Sequence, residues 1–135
     1  MIVSLDTNVW IFGFLEKDSF CEKILLNLPK FDIIIPDQIR SELERNLPRP
    51  YMKRFYPLAL EAGVQFDFEP VPQQFLSMYS RKGLKKGDLV IGAFCEWRKV
   101  DVIVSDNRDF LRGLSEGHFF RVLSPREFCE KFGLV

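Results

Sequence analysis

The chain has 135 residues, 47% of them hydrophobic, which predicts one domain with a full core and gives no reason to invoke disorder. Its 19 basic and 19 acidic residues cancel, so any argument for nucleic-acid binding must rest on local clusters. The three cysteines are far apart, which argues against a zinc knuckle, and no apolar run could cross a bilayer. We therefore expect a soluble, cytoplasmic protein with no membrane contact.

The first eight residues predict a buried strand that ends on a carboxylate. Apolar residues precede Asp6, and Thr7 and Asn8 carry side chains that could cap a following helix. In an open α/β sheet, ligands bind at the carboxyl ends of the strands. This pattern places Asp6 at the edge of the sheet where a site would lie.

Strands and helices alternate along the rest of the chain, which predicts a parallel sheet covered by helices in an α/β fold. Strands are predicted at 31–35, 64–68, 100–105 and 119–123. Helices are predicted at 8–15, 19–28, 37–47, 51–62, 73–81, 88–97, 110–114 and 124–132. No linker divides the chain, so 1–135 is expected to be a single domain. The proline-rich stretch 48–57 is the best candidate for a protruding arm.

Several acids are expected to meet at the carboxyl edge of this sheet. Asp6 ends the first strand, Asp106 and Asp109 follow the fourth, Asp88 opens the helix before it, and Glu42 lies on the helix after the second. Alone, each has an ordinary explanation as a turn, cap or surface residue. Together they would repel one another unless a cation joined them. Hard oxygen ligands without a Cys or His cluster favour Mg²⁺ or Mn²⁺ over zinc, and such an ion could activate water against a phosphodiester.

Four segments come in the order and approximate spacing of the PIN domain, a family of metal-dependent ribonucleases that includes the VapC-type toxins. They are Leu5-Asp6-Thr7-Asn8, Ser41-Glu42-Leu43, Gly87-Asp88-Leu89-Val90-Ile91-Gly92-Ala93 and Val104-Ser105-Asp106-Asn107-Arg108-Asp109-Phe110. The resemblance covers essentially the whole chain. It implies a three-layer α/β/α sandwich with a central parallel sheet of four to five strands. It also implies RNA cleavage with Mg²⁺ or Mn²⁺, frequent homodimers and, for toxins, an inhibiting antitoxin protein.

Carried over to this chain, the resemblance makes Asp6, Glu42 and Asp88 the first three acids of the site. At the fourth position the family has an acid where Asn107 stands. Asp106, one residue early, or Asp109 could supply that charge, or Asn107 could serve as a neutral ligand. We take Asp6, Glu42, Asp88, Asp106 and Asp109 as the candidate catalytic set, with Asp6, Asp88 and Asp106 as metal ligands.

Polar neighbours and basic clusters complete the predicted site. Thr7, Asn8, Ser105 and Asn107 are candidates to support the metal ligands. Basic side chains that flank the acids in sequence are candidate RNA contacts, although most such clusters are ordinary surface. The candidates are Arg45, Arg81, Lys82, Lys85, Lys86 and Arg108.

The only histidine, His118, has no apparent partner for acid–base chemistry, which disfavours a histidine-driven ribonuclease. Attack by a metal-activated water predicts 5′-phosphate and 3′-hydroxyl products. Asn107 favours an alternative, a degenerate PIN-like module that binds RNA or protein without cleaving it. A receiver or aspartyl phosphatase is a weaker alternative, because that phosphatase needs a second Asp where Asn8 stands.

Overall fold

Five parallel strands form one sheet in the computed structural model, which describes residues 1–107 and 118–134. The strands are β1 (Ile2–Leu5), β2 (Asp32–Pro36), β3 (Gln65–Asp67), β4 (Val102–Val104) and β5 (Arg121–Leu123). Their order across the sheet is β3-β2-β1-β4-β5, and every neighbouring pair is parallel. The predicted parallel sheet of four to five strands is therefore confirmed, with β3 at an edge.

Seven α-helices within the described residues flank the sheet and complete a three-layer α/β/α fold, as predicted. They are α1 (Thr7–Phe14), α2 (Ser19–Leu26), α3 (Asp37–Asn46), α4 (Arg49–Glu61), α5 (Gln73–Arg81), α6 (Lys86–Trp97) and α7 (Pro125–Phe132), and a short 3₁₀ helix spans Leu28–Lys30. The helix predicted at 110–114 lies outside the described residues, as do Arg108 and Asp109.

The central strands are buried on both faces, which explains why aliphatic residues dominate them. Val3 and Leu5 of β1 and all three residues of β4 are at most 3% exposed. On α3, Ile39 and Leu43 repeat at helical spacing and are fully buried against this core. The spacing of apolar residues within each strand or helix thus determines which of its faces packs against the core.

The predicted arm at 48–57 is wrong, because this stretch begins helix α4 and packs into the core. Phe55 and Ala59 are fully buried, and the Phe55 ring meets Trp10 edge to face at 5.2 Å. Pro50 lies in the first turn, where a helix needs no N–H donor. Burial of the aromatic face offsets the hydrogen bond lost at the internal Pro57.

The strand order creates a crevice between the carboxyl ends of β1 and β4. The chain runs from β1 outward to β2 and β3, then returns to place β4 and β5 on the other side of β1. Leu5 pairs with Val104, and the Asp6 N–H donates to the Val104 carbonyl at 2.9 Å. Residues that follow these two strands are therefore brought together, at the point where open α/β sheets bind ligands.

Candidate functional site

An open cleft of about 870 Å³ lies at this crevice, and three of the predicted acids line it. Asp6 comes from the end of β1, Glu42 from α3 and Asp88 from the first turn of α6. Thr7, Asn8 and Asn107, three of the four predicted supporting residues, line the same cleft. Residues separated by more than 80 positions in sequence thus share one concave surface.

Asp6 is held rigidly and is only 8% exposed. Asp6 itself is the N-cap of α1, a role the sequence suggested for Thr7 or Asn8. Its Oδ1 accepts the Thr7 N–H at 2.8 Å, and its Oδ2 accepts the hydroxyl of the buried Ser105 at 2.8 Å. Both carboxylate oxygens are therefore fixed in direction before any ligand arrives.

Burial raises the pKa of the Asp6 carboxyl group, and the nearby Glu42 and Asp88 carboxylates raise it further. The hydrogen bonds from Ser105 and Thr7 act in the opposite direction but do not cancel the effect of burial. The negative charge of Asp6 is thus disfavoured in the protein alone. A bound cation would relieve this electrostatic cost.

Glu42 is held through both of its carboxylate oxygens. The Thr7 hydroxyl donates to Oε1 at 2.5 Å, and the Gln38 amide donates to Oε2 at 2.7 Å. Gly87 lies so close that a Cβ atom at this position would be 2.5 Å from Glu42 Oε2. Thr7 therefore supports two acids, Asp6 through its backbone and Glu42 through its side chain.

Asn107 connects the acid on α6 to the end of β4. Its side-chain amide donates to both oxygens of Asp88, at 3.4 and 3.3 Å. Its backbone N–H donates to the Ser105 hydroxyl oxygen at 3.1 Å, in the type of turn that Ser and Thr favour after a strand. Because Ser105 also donates to Asp6, a continuous hydrogen-bonded chain links Asp6 to Asp88.

The donors around the cleft match a hard divalent cation in chemical type, since they are carboxylate, hydroxyl and amide groups. Within residues 1–107 and 118–134, however, no three His, Cys, Asp or Glu side chains are gathered closely enough to hold a metal ion. The raised pKa of Asp6 is the observation that favours a cation here. The fit therefore concerns ligand type and charge, and the assignment of metal ligands stays a prediction.

Asp106, predicted as a metal ligand, is exposed and is not among the described residues that line the cleft. Burial raises the pKa of the Cys21 thiol on α2 to about 12, and the carboxylates of Asp18 and, to a smaller extent, Asp106 raise it further. The turn at Ser105 directs Asn107 into the cleft and leaves Asp106 outside. Of the candidates for the fourth position, Asn107 lines the cleft and Asp109 is not described.

Two of the predicted RNA contacts, Arg45 and Lys86, line the cleft beside the acids. Three others lie on surfaces nearby: Arg81 donates to the Ser77 carbonyl, Lys82 lies 5.7 Å from the Tyr79 ring centre, and Lys85 is the exposed N-cap of α6. The sixth, Arg108, falls outside the described residues. The cleft therefore carries positive charge at its rim, although the whole chain has none in excess.

Two residues that lie against Glu42 in the cleft, Gln38 and Gly87, were given no role from the sequence. Gln38 precedes Glu42 by four residues on α3, a spacing that brings side chains together on one helix face and could have identified it. Gly87 leaves no comparable signal, since only the approach of α6 to α3 shows why a side chain is excluded there. His118 is not among the described residues lining the cleft, and its Nδ1 contacts the Phe120 carbonyl.

Comparison with known proteins identifies a family and similar solved structures. A model of the PIN domain family matches residues 3–113. A crystal structure of VapBC2 from Rickettsia felis, bound to a DNA fragment from the promoter, matches with a TM-score of 0.67 and 16% identity, covering 92% of this chain and 98% of that chain. No curated protein sequence matches. None of the described helices combines the length and apolar character needed to span a membrane.

Proposed function

Because the chain belongs to the PIN domain family, we propose that it is an endoribonuclease that requires Mg²⁺ or Mn²⁺. The observation that carries this proposal is the meeting of Asp6, Glu42 and Asp88 in one cleft. The raised pKa of Asp6 supports it, because a buried carboxylate with Glu42 and Asp88 nearby favours a bound cation. Neither a thiol nor an imidazole is among the described residues that line the cleft, which is consistent with a hard metal ion.

The residues of the cleft divide into three proposed roles. Asp6 and Asp88 would hold the divalent ion, with Glu42 facing the ion or its waters. The ion, when bound, would activate water and stabilise the leaving oxygen. Asn107 would hold Asp88 in place through its amide, and Ser105 would hold Asp6. Asp109, which is not described, remains a candidate for the fourth ligand.

Arg45 and Lys86 are proposed to bind phosphate groups of the RNA backbone next to the acids. They would align the scissile phosphodiester in the cleft without selecting a base sequence. Arg81, Lys82 and Lys85 would contact phosphates farther along the strand, on the surface that α5 and the start of α6 share. Local positive charge would thus allow a chain of zero net charge to bind RNA.

We further propose that the protein acts as the toxin of a toxin–antitoxin pair, with a VapC-type architecture. The structural similarity to VapBC2 supports the architecture, and the proposed nuclease activity would need an inhibiting partner in the cell. Co-purification with the product of an adjacent short reading frame would test the partnership. A homodimer and a cytoplasmic location remain predictions.

A cleavage assay tests the nuclease directly. Purified protein is incubated with mixed cellular RNA in Mn²⁺, in Mg²⁺ or in excess chelator, and the new ends are analysed. We expect metal-dependent cleavage that leaves 5′-phosphate and 3′-hydroxyl ends and is abolished by Asp6→Asn. The matched control is Asp32→Asn, which removes an 81% exposed carboxylate at the opposite end of the sheet.

The second candidate is a PIN-like module that binds RNA or protein without cleaving it. Asn107 at the usual position of an acid favours this candidate, as does the lack of a three-carboxylate cluster among the described side chains. Absence of cleavage with every RNA and both metals would support the module. Cleavage that survives Asp6→Asn would instead remove Asp6 from the proposed set of metal ligands.

A further inference from the structure

We propose that Gln38, Thr7 and the missing side chain at Gly87 form a clamp that positions Glu42. This inference rests on the proposed function and extends it, because none of the three is predicted to touch the metal. They are positioning residues that act through the carboxylate of Glu42. Three helices supply them, since Thr7 begins α1, Gln38 lies on α3 and Gly87 lies in the first turn of α6.

The clamp engages Glu42 from two directions. The Thr7 hydroxyl donates to Oε1 at 2.5 Å, and the Gln38 amide donates to Oε2 at 2.7 Å. Donors on both oxygens fix the plane of the carboxylate. A half-exposed Glu on a helix would otherwise sample several rotamers, so these bonds place its charge toward the cleft.

Gly87 sets the distance between Glu42 and α6. A Cβ at this position would be 2.5 Å from Glu42 Oε2 and 3.2 Å from Gln38 Nε2, whereas ordinary contacts begin at 3.4 Å. The carboxylate thus lies directly against the backbone of the turn that carries Asp88. Contact with a bare backbone keeps these two acids close, which is the arrangement that a shared ion would need.

Thr7 also couples the clamp to Asp6. The same residue donates its N–H to Asp6 Oδ1 and its hydroxyl to Glu42 Oε1. A rotation of α1 would therefore move the donors of both acids together. One residue, Thr7, therefore sets the distance between the Asp6 and Glu42 carboxylates.

The test compares variants that remove one donor while keeping the volume. Thr7→Val removes the hydroxyl, Thr7→Ser retains it, and Gln38→Met removes the amide. Each is made in the full chain and again in a Glu42→Ala background. Mn²⁺ affinity is measured without RNA from the electron paramagnetic resonance signal of free Mn²⁺, and kcat and KM are measured on RNA. Gln74→Met, an exposed position on α5, is the matched surface control.

We expect Thr7→Val and Gln38→Met each to weaken Mn²⁺ binding and lower kcat by about 10- to 100-fold, the usual effect of removing a support of a metal ligand. Thr7→Ser should restore most of both. In the Glu42→Ala background the same changes should alter Mn²⁺ affinity by less than about twofold, because their partner is gone.

Two results would overturn the clamp while leaving the nuclease intact: full activity of both variants, or equal losses with and without Glu42. If wild-type protein binds Mn²⁺ but cleaves no RNA, the nuclease proposal is wrong. The Mn²⁺ affinities of the variants would still test the clamp in that case. Wild-type protein that binds no Mn²⁺ would overturn both proposals.

Discussion

Replacing Gly87 by Ala should lower the RNA-cleavage activity of this protein without lowering its stability. The backbone of Gly87 lies outside the left-handed region, so alanine fits its conformation without strain. The new Cβ would meet Glu42 Oε2 at 2.5 Å, and restoring an ordinary contact requires the carboxylate to withdraw by about 1 Å. Because that atom ends a flexible side chain, the fold can accommodate the change, but the site cannot keep its geometry.

The size of both effects follows from this displacement. A misplacement of about 1 Å at a reacting centre can cost on the order of 100-fold in rate, which is roughly 2.7 kcal/mol of transition-state stabilisation. Alanine in place of glycine in a helix contributes up to about 1 kcal/mol of stability. We therefore expect kcat to fall by about 100-fold while Tm is unchanged or rises by a few degrees.

The assay is metal-dependent RNA cleavage together with thermal melting, and Gly92→Ala on the same helix is the matched control. A Cβ at Gly92 would be 2.9 Å from Leu84 Cδ1 and 3.1 Å from Tyr79 Cδ1, inside the core and away from the cleft. Overpacking there should cost about 1–3 kcal/mol of stability with kcat retained below the melting transition. Full activity of Gly87→Ala, or parallel losses of activity and Tm, would refute the reasoning.

Three further changes test the electrostatics of the cleft. The pKa of Asp6 is raised in the folded protein, so without metal its contribution to stability is present at acid pH and is lost as pH rises through that pKa. In the presence of a chelator, the Tm of Asp6→Asn should therefore rise relative to that of wild type as pH increases towards neutrality. A Tm difference that does not change with pH would contradict this. Asn107→Asp places a carboxylate where an amide now meets Asp88, so it should lower the metal-free Tm and tighten Mn²⁺ binding by about tenfold in calorimetric titration. Arg45→Gln should raise KM and reduce the slope of log binding constant against log salt concentration by about 0.7 per lost phosphate contact. The control Lys30→Gln, outside the cleft, should leave both unchanged. Equal slopes for the two variants would show that Arg45 does not contact the RNA.

The strand and helix pattern was sufficient to predict the sheet and the placement of three acids, Asp6, Glu42 and Asp88. Residues that follow buried parallel strands must emerge at one edge, so the rule that located Asp6 needed no knowledge of side-chain contacts. Glu42 and Asp88 were found because their helices flank the same edge. For these residues, local sequence and topology together determine position.

The sequence was less informative where tertiary contacts decide the outcome. The side of the chain on which Asp106 and Asn107 emerge depends on the hydrogen bond from the Asn107 N–H to Ser105, which no periodicity reveals. The prolines of 48–57 suggested an arm, but aromatic packing around Phe55 stabilises a helix there. Gly87 is explained only by the approach of another helix.

Anomalous diffraction at the manganese edge, from a crystal soaked in Mn²⁺, tests the central claim most directly. We predict a peak in the cleft within coordination distance of Asp6 and Asp88, with Glu42 turned toward the ion or its waters. Asp6→Asn crystals treated in the same way should lose that peak. A wild-type map with no manganese between Asp6 and Asp88 would contradict the account, even though the α/β/α architecture would stand.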